Sequence, residues 1–162
     1  MRIAALSAGG ALTLFLTIAC RPETSRPFFG PVSGAAQTQV DLPVPDATTL
    51  VADRLKADSI PIARVEPADG FFETPWFDPA TGAPTRARRL GAGVVRVRGW
   101  VDPTKVGHSN ITIETLYRPL ADPSLPEREL DREVPPDHPT RKRVDALIQV
   151  LTKEHGDSTA AP

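Results

Sequence analysis

The side chains able to do chemistry are few in this chain, and their spacing gives them no common purpose. His108, His138 and His155 are its three histidines. None has a second ligand one helical turn away, as a zinc site on one helix face requires. Asp69, Glu73 and Asp78 come nearest to a carboxylate cluster. General acid–base work would need one of them buried enough to hold a proton near neutrality. They flank a turn and an edge strand, where acids ordinarily serve solubility. Gly91-Ala92-Gly93 lacks a third glycine and runs into a strand, not a helix, so its amides would not converge on a phosphate. Ser109 and its neighbours show no nucleophile-elbow context, and Asn110-Ile111-Thr112 matches only a glycosylation acceptor pattern. The residues argue against an enzyme and assign no catalytic group, cofactor or metal.

Recognition is better provided for. Phe71, Phe72, Trp76 and Phe77 crowd one short stretch, and on an extended chain they point to both faces. Only one face can lie beneath helices. The other is either a solvent-facing aromatic patch or is buried, by a twist at Pro75 or by Phe28-Phe29. Downstream, Arg86, Arg88, Arg89, Arg96 and Arg98 form a basic stretch ending at Trp100. Arg96, Arg98 and Trp100 lie opposite Val95, Val97 and Val101 on a strand. That basic face could meet acidic headgroups or an acidic partner, or its arginines could pair across strands with Glu114. Phe71, Trp76, Arg96, Arg98 and Trp100 are thus the candidate interaction face.

Where the chain works is written at its N-terminus. After Met1-Arg2, the run from Ile3 to Ala19 carries no ionisable side chain and ends at Cys20, the only cysteine. A positive start, an apolar middle and small residues before a cut make a secretory signal. Leu16-Thr17-Ile18-Ala19-Cys20 resembles the lipobox of bacterial lipoproteins, which implies that Cys20 carries acyl chains, palmitate among them, and becomes the new N-terminus. Thr17-Ile18-Ala19 also suits ordinary cleavage. An uncleaved anchor is a third reading, although a run of about 17 residues interrupted by Gly9-Gly10 barely reaches spanning length. Each buried methylene contributes about 0.8 kcal/mol, so several acyl chains would hold the protein firmly to a lipid bilayer. By the same resemblance Arg21, standing where aspartate signals retention, implies the outer membrane with the domain facing the periplasm. A net charge of −1 and an export signal argue against a nucleic-acid partner.

The layout follows: signal peptide over 1–19, a disordered proline-rich tether over 20–45, a domain over 46–156 and a disordered tail over 157–162. The tether holds Pro22, Pro27, Pro31, Pro43 and Pro45 with no apolar period. As a coil of about 25 residues it would set its ends roughly 25–30 Å apart. Asp46 is the expected cap of a first helix with Ala47, Leu50, Val51 and Leu55 on one face. Strands follow over Ile60–Glu66, Phe71–Phe77, Leu90–Val101 and Ile111–Tyr117, the first two joined by a Pro67-Ala68-Asp69-Gly70 turn. Ser124-Leu125-Pro126-Glu127 has capping-box spacing, which leaves helix and extended chain both open over Glu127–Arg132. Val144, Leu147, Ile148 and Leu151 repeat at helical spacing, with Asp137 or Thr140 as the cap and Gly156 as the stop. The expected fold is α+β: a four-stranded antiparallel sheet with an N-terminal and a C-terminal helix packed on one face, in the order α-β-β-β-β-α.

Leu55-Lys56-Ala57-Asp58-Ser59-Ile60-Pro61-Ile62-Ala63-Arg64, followed by Gly70-Phe71-Phe72-Glu73-Thr74-Pro75-Trp76, resembles the repeat unit of the BamC (NlpB) lipoproteins. These are accessory lipoproteins of the outer-membrane β-barrel assembly machinery, built of helix-grip domains. The resemblance covers about residues 46–155 and implies a single helix-grip-like domain, where that family has two. It also implies β-barrel assembly proteins or other envelope proteins as partners. LptE-like lipoproteins also place helices on a four-stranded sheet, but their motif just after the cysteine is missing here. The leading expectation is a membrane-anchored, non-enzymatic interaction module. An alternative is a periplasmic binding module for a small apolar or envelope-derived ligand, with Trp76, Tyr117 and Leu147 lining a groove. An enzyme is the third.

Overall fold

A computed structural model describes residue 24 and residues 26–85 and 91–156, the Glu127 side chain excepted. Cys20, Arg86, Arg88, Arg89 and the expected tail at 157–162 lie outside the described residues. The elements run β1 (Ala36–Val40), α1 (Val44–Ala57), β2 (Arg64–Glu66), β3 (Phe71–Glu73), β4 (Arg96–Pro103), β5 (Ser109–Tyr117), α2 (Glu127–Leu130), β6 (Arg132–Glu133) and α3 (Pro139–His155). The strands form one antiparallel sheet in the order β1-β5-β4-β3-β2, with β6 pairing the far end of β5. The class is α+β with a helix toward each end, but the sheet has six strands instead of four.

One added strand, β6, starts at Arg132, at the end of the stretch left open between helix and extended chain. β1 falls inside the region read as tether. Its residues alternate buried and exposed, with Ala36, Thr38 and Val40 turned inward. Alanine and threonine make that alternation too weakly apolar to stand out among prolines, and pairing with β5 is what fixes it. The ordered domain therefore starts upstream of residue 46. α1 begins at Val44, with Pro43 as its cap and Asp46 inside the first turn, so Asp46 is not the cap. Proline suits this place because the first helical amides have no intrahelical acceptor.

α3 is capped by neither Asp137 nor Thr140 but by His138. Its Nδ1 accepts from the Thr140 amide at 3.2 Å, which leaves the ring proton on Nε2 to donate to the Ala92 carbonyl at 3.0 Å. β3 ends at Glu73, short of the expected Phe77, because Pro75 has no amide to donate. Thr74 repairs the break: its hydroxyl accepts from the Val97 amide at 2.9 Å. Phe77 then pairs again, with Val95.

The main core fills the inner side of the sheet. Ala47, Val51 and Leu55 of α1 and Val144, Ile148 and Leu151 of α3 pack with Phe72, Val97, Val101, Ile111 and Ile113. Gly99 is required there: a Cβ at that position would fall 2.0 Å from the Phe72 ring.

The outer side is covered as well. Residues 26–35 run along it as a strap before turning into β1. Arg26 binds Asp102 at 2.7 Å, Phe29 meets the Trp100 ring, and the Val32 amide donates to Glu114 at 2.8 Å.

Candidate functional site

The sheet register sets the outer layer. Phe71 lies opposite Trp100, and Arg98 opposite both Glu73 and Glu114, so these side chains share the face turned away from the helices. The aromatic and guanidinium groups interleave. Trp76 has Arg96 and Arg118 each 5.2 Å from its ring centre. Phe29 has Arg98 at 5.1 Å and Arg128 at 4.7 Å. Arg64 lies 4.8 Å from the Phe71 ring, and Trp100 meets Phe71 and Phe29 edge-on. Cations over ring faces gain from the ring quadrupole, more so where water is excluded.

Two carboxylates knit this layer together. Glu114 is fully buried and accepts from Arg98 Nε at 2.7 Å, while its second oxygen takes the Val32 amide and has Arg128 at 3.7 Å. Asp131 accepts from Arg118 at 2.9 and 3.2 Å and from Arg98 at 3.3 Å. Arg98 thus bridges two buried acids. Burial pushes the Glu114 carboxyl above its ordinary range, with the neighbouring Arg98 charge acting in the opposite direction. Glu133, on β6 beside this layer, is pushed up to about 7, chiefly by burial. Its contacts with the Thr115 amide and Arg141 pull the other way.

The candidate interaction face is brought together, but it is not a surface. Phe71, Trp76, Arg98 and Trp100 are at most 5% exposed, and only Arg96 is half-buried. Of the two arrangements open to this face, the covered one is observed: Phe29 lies over it and Arg98 pairs with Glu114. The strap and the chain around Arg118, Arg128 and Asp131 exclude solvent from it. Reading from sequence did not place Arg118, Arg128 or Asp131 in this layer. They lie in or beside the proline-rich stretch after β5, where no period marks which side chains turn inward.

The remaining candidates are dispersed. His108 contacts Asp41, His138 caps α3, and His155 lies beside Glu154. Among the described residues no group of three histidine, cysteine or acidic side chains is placed to hold a metal ion. Glu73 faces Arg64 at 3.8 Å, whereas Asp78 closes its own turn by accepting from the Ala80 amide. Among the described residues Trp76, Tyr117 and Leu147 lie in separate places. Trp76 packs with Val94 and Leu116. Tyr117 lines a cleft of about 550 Å³ beside Asp131 and Glu133. Leu147 lines one of about 400 Å³ between α1 and α3. That second cleft is spanned by ion pairs, Arg54 with Glu154 at 2.9 Å and Arg143 with Asp58 at 2.7 Å.

Among the described residues no helix is long and apolar enough to cross a membrane. No protein-family model matches the chain, and no curated protein matches its sequence.

Proposed function

We propose that this chain is a bacterial envelope lipoprotein, acylated at Cys20, whose α+β domain is a non-enzymatic interaction module on the periplasmic side of the outer membrane. The observation that carries the reading is Leu16-Thr17-Ile18-Ala19-Cys20 standing at the end of an uncharged apolar run. The use of the buried ionisable groups supports the non-enzymatic part. Glu114, Asp131 and Arg98 spend their hydrogen bonds on one another and on the strap, which is what a structural network needs. A helix-grip-like, BamC-like domain with a role in envelope assembly is the finer form of the proposal. Its support is the Thr74-Pro75-Trp76 stretch reached through a hairpin, and two helices set on one side of an antiparallel sheet.

Mass spectrometry of the mature product from the membrane fraction tests the anchor. The expected result is a chain that starts at Cys20 and carries the mass of added acyl groups. A bare thiol at Cys20, or a chain beginning elsewhere, overturns the reading.

A further inference from the structure

We infer that the tip of the β4–β5 hairpin and Phe28 rest on the lipid surface to which the chain is anchored, so that the domain lies against its own membrane. The inference rests on the acylation of Cys20 proposed above and adds an orientation and a contact surface.

The path of the strap gives the first argument. Phe29 lies at Trp100 and Arg26 at Asp102, so toward its N-terminus the strap climbs β4 toward the hairpin end. The chain therefore leaves the domain beside that hairpin. Arg26 is six residues from Cys20, a span of roughly 20 Å at full extension. The leash between acyl chains and domain is thus these few residues, not the whole of 20–45, because 26–40 is bound to the sheet. A leash so short cannot let the opposite end of the domain turn toward the bilayer.

The second argument is what that end presents. Phe28 and Val106 are the two most exposed large apolar side chains among the described residues, at 106% and 100%. Val106 sits at the hairpin tip, between Lys105 and Gly107, and Phe28 lies next to the strap's tie to Asp102. A protruding apolar tip beside a lysine suits the boundary between headgroups and acyl chains. Two acids on this side have side-chain partners, Asp102 an ion pair with Arg26 and Asp41 a contact with the His108 ring. Because Lys105 and Arg26 stand with Asp41, Asp69 and Asp102, the surface fits a zwitterionic bilayer better than a strongly anionic one.

The test uses the full acylated chain in phosphatidylcholine–phosphatidylethanolamine vesicles containing a lipid-borne quencher. With Cys20 blocked by its acyl groups, one new thiol takes a fluorescent label, at Val106→Cys or at Ala80→Cys. Ala80 is an exposed loop residue near the Phe77–Val95 bridge, at the opposite end of β4. Quenching several-fold stronger at position 106 than at position 80 is the expected result. Equal quenching at the two positions, with acyl groups confirmed by intact mass, overturns the orientation and leaves the anchor standing. An intact mass without acyl groups overturns the anchor reading and, with it, this inference.

Discussion

Arg98 and Glu114 show how much one buried pair can carry. Both are nearly inaccessible, and each has a further partner, Asp131 for the arginine and the Val32 amide for the glutamate. Removing one member leaves the other charge in an apolar layer, so Arg98→Ala or Glu114→Ala should cost about 3–5 kcal/mol in urea unfolding. Replacing both, as Arg98→Met with Glu114→Leu, should cost clearly less than the two single changes added together. Glu133 supplies a pH signature. Its carboxyl faces the Thr115 amide and Glu114 from β5 and Arg141 from α3, and burial holds its pKa near 7 against an ordinary 4.5. The folded state therefore holds this proton more tightly than the unfolded chain does. The resulting stability is fully present below about pH 4.5 and is lost as pH rises through about 7. The raised Glu114 carboxyl acts with the same sign. Glu133→Gln should match the parent near pH 5 and exceed it near pH 8 when unfolding midpoints are compared.

The end of α1 shows local geometry set by backbone bonds against side-chain preference. The Ile60 amide donates to the Leu55 carbonyl at 2.9 Å, and the Ser59 amide to that of Lys56 at 2.9 Å. This is the Schellman arrangement, in which the residue after the cap takes a left-handed conformation that glycine adopts most readily. Here the residue is Ser59, with φ of 58°. Ile60, buried, closes the motif over Leu55. Ser59→Gly should relieve the Cβ strain and raise stability by about 0.5–1 kcal/mol, seen as a higher urea midpoint with unchanged slope. A lower midpoint would show that the serine side chain contributes more than the backbone strain costs.

In the molecule as a whole the sheet is a sandwiched layer, which is why the candidate interaction face is buried. Two helices cover one side, and a strap with a layer of arginine–aromatic stacks covers the other. Phe29 is the strap's one inward-facing ring, held between Arg98 and Arg128. Phe29→Ala should loosen residues 26–35 at a cost of about 2–3 kcal/mol. Limited proteolysis should then cut the strap several-fold faster than the helices. Uniform protection would show that Arg26–Asp102 and Val32–Glu114 hold the strap without the ring. A loosened strap also lengthens the leash, so the same variant should weaken the quenching at position 106.

The sequence alone determined the elements whose signal is local. α3 was legible because Val144, Ile148 and Leu151 repeat at helical spacing and all turn into the core. The β2–β3 turn was legible because Asp69-Gly70 supplies a backbone conformation few other pairs allow, and Gly70 has φ of 62°. β5 was legible where Ile111 and Ile113 alternate with Thr112 and Glu114, although Thr115 and Leu116 break the pattern. β1, the strap and the inward turn of Arg118, Arg128 and Asp131 were not, since their partners are remote in the chain. A weakly apolar segment or a lone arginine takes its place only when a pairing edge or a buried carboxylate is already present. Tertiary structure alone decided that Phe71, Trp76, Arg98 and Trp100 form a sealed interior layer and not a surface. Which face of a sheet meets water depends on what the rest of the chain lays across it, and alternation along one strand carries no record of that.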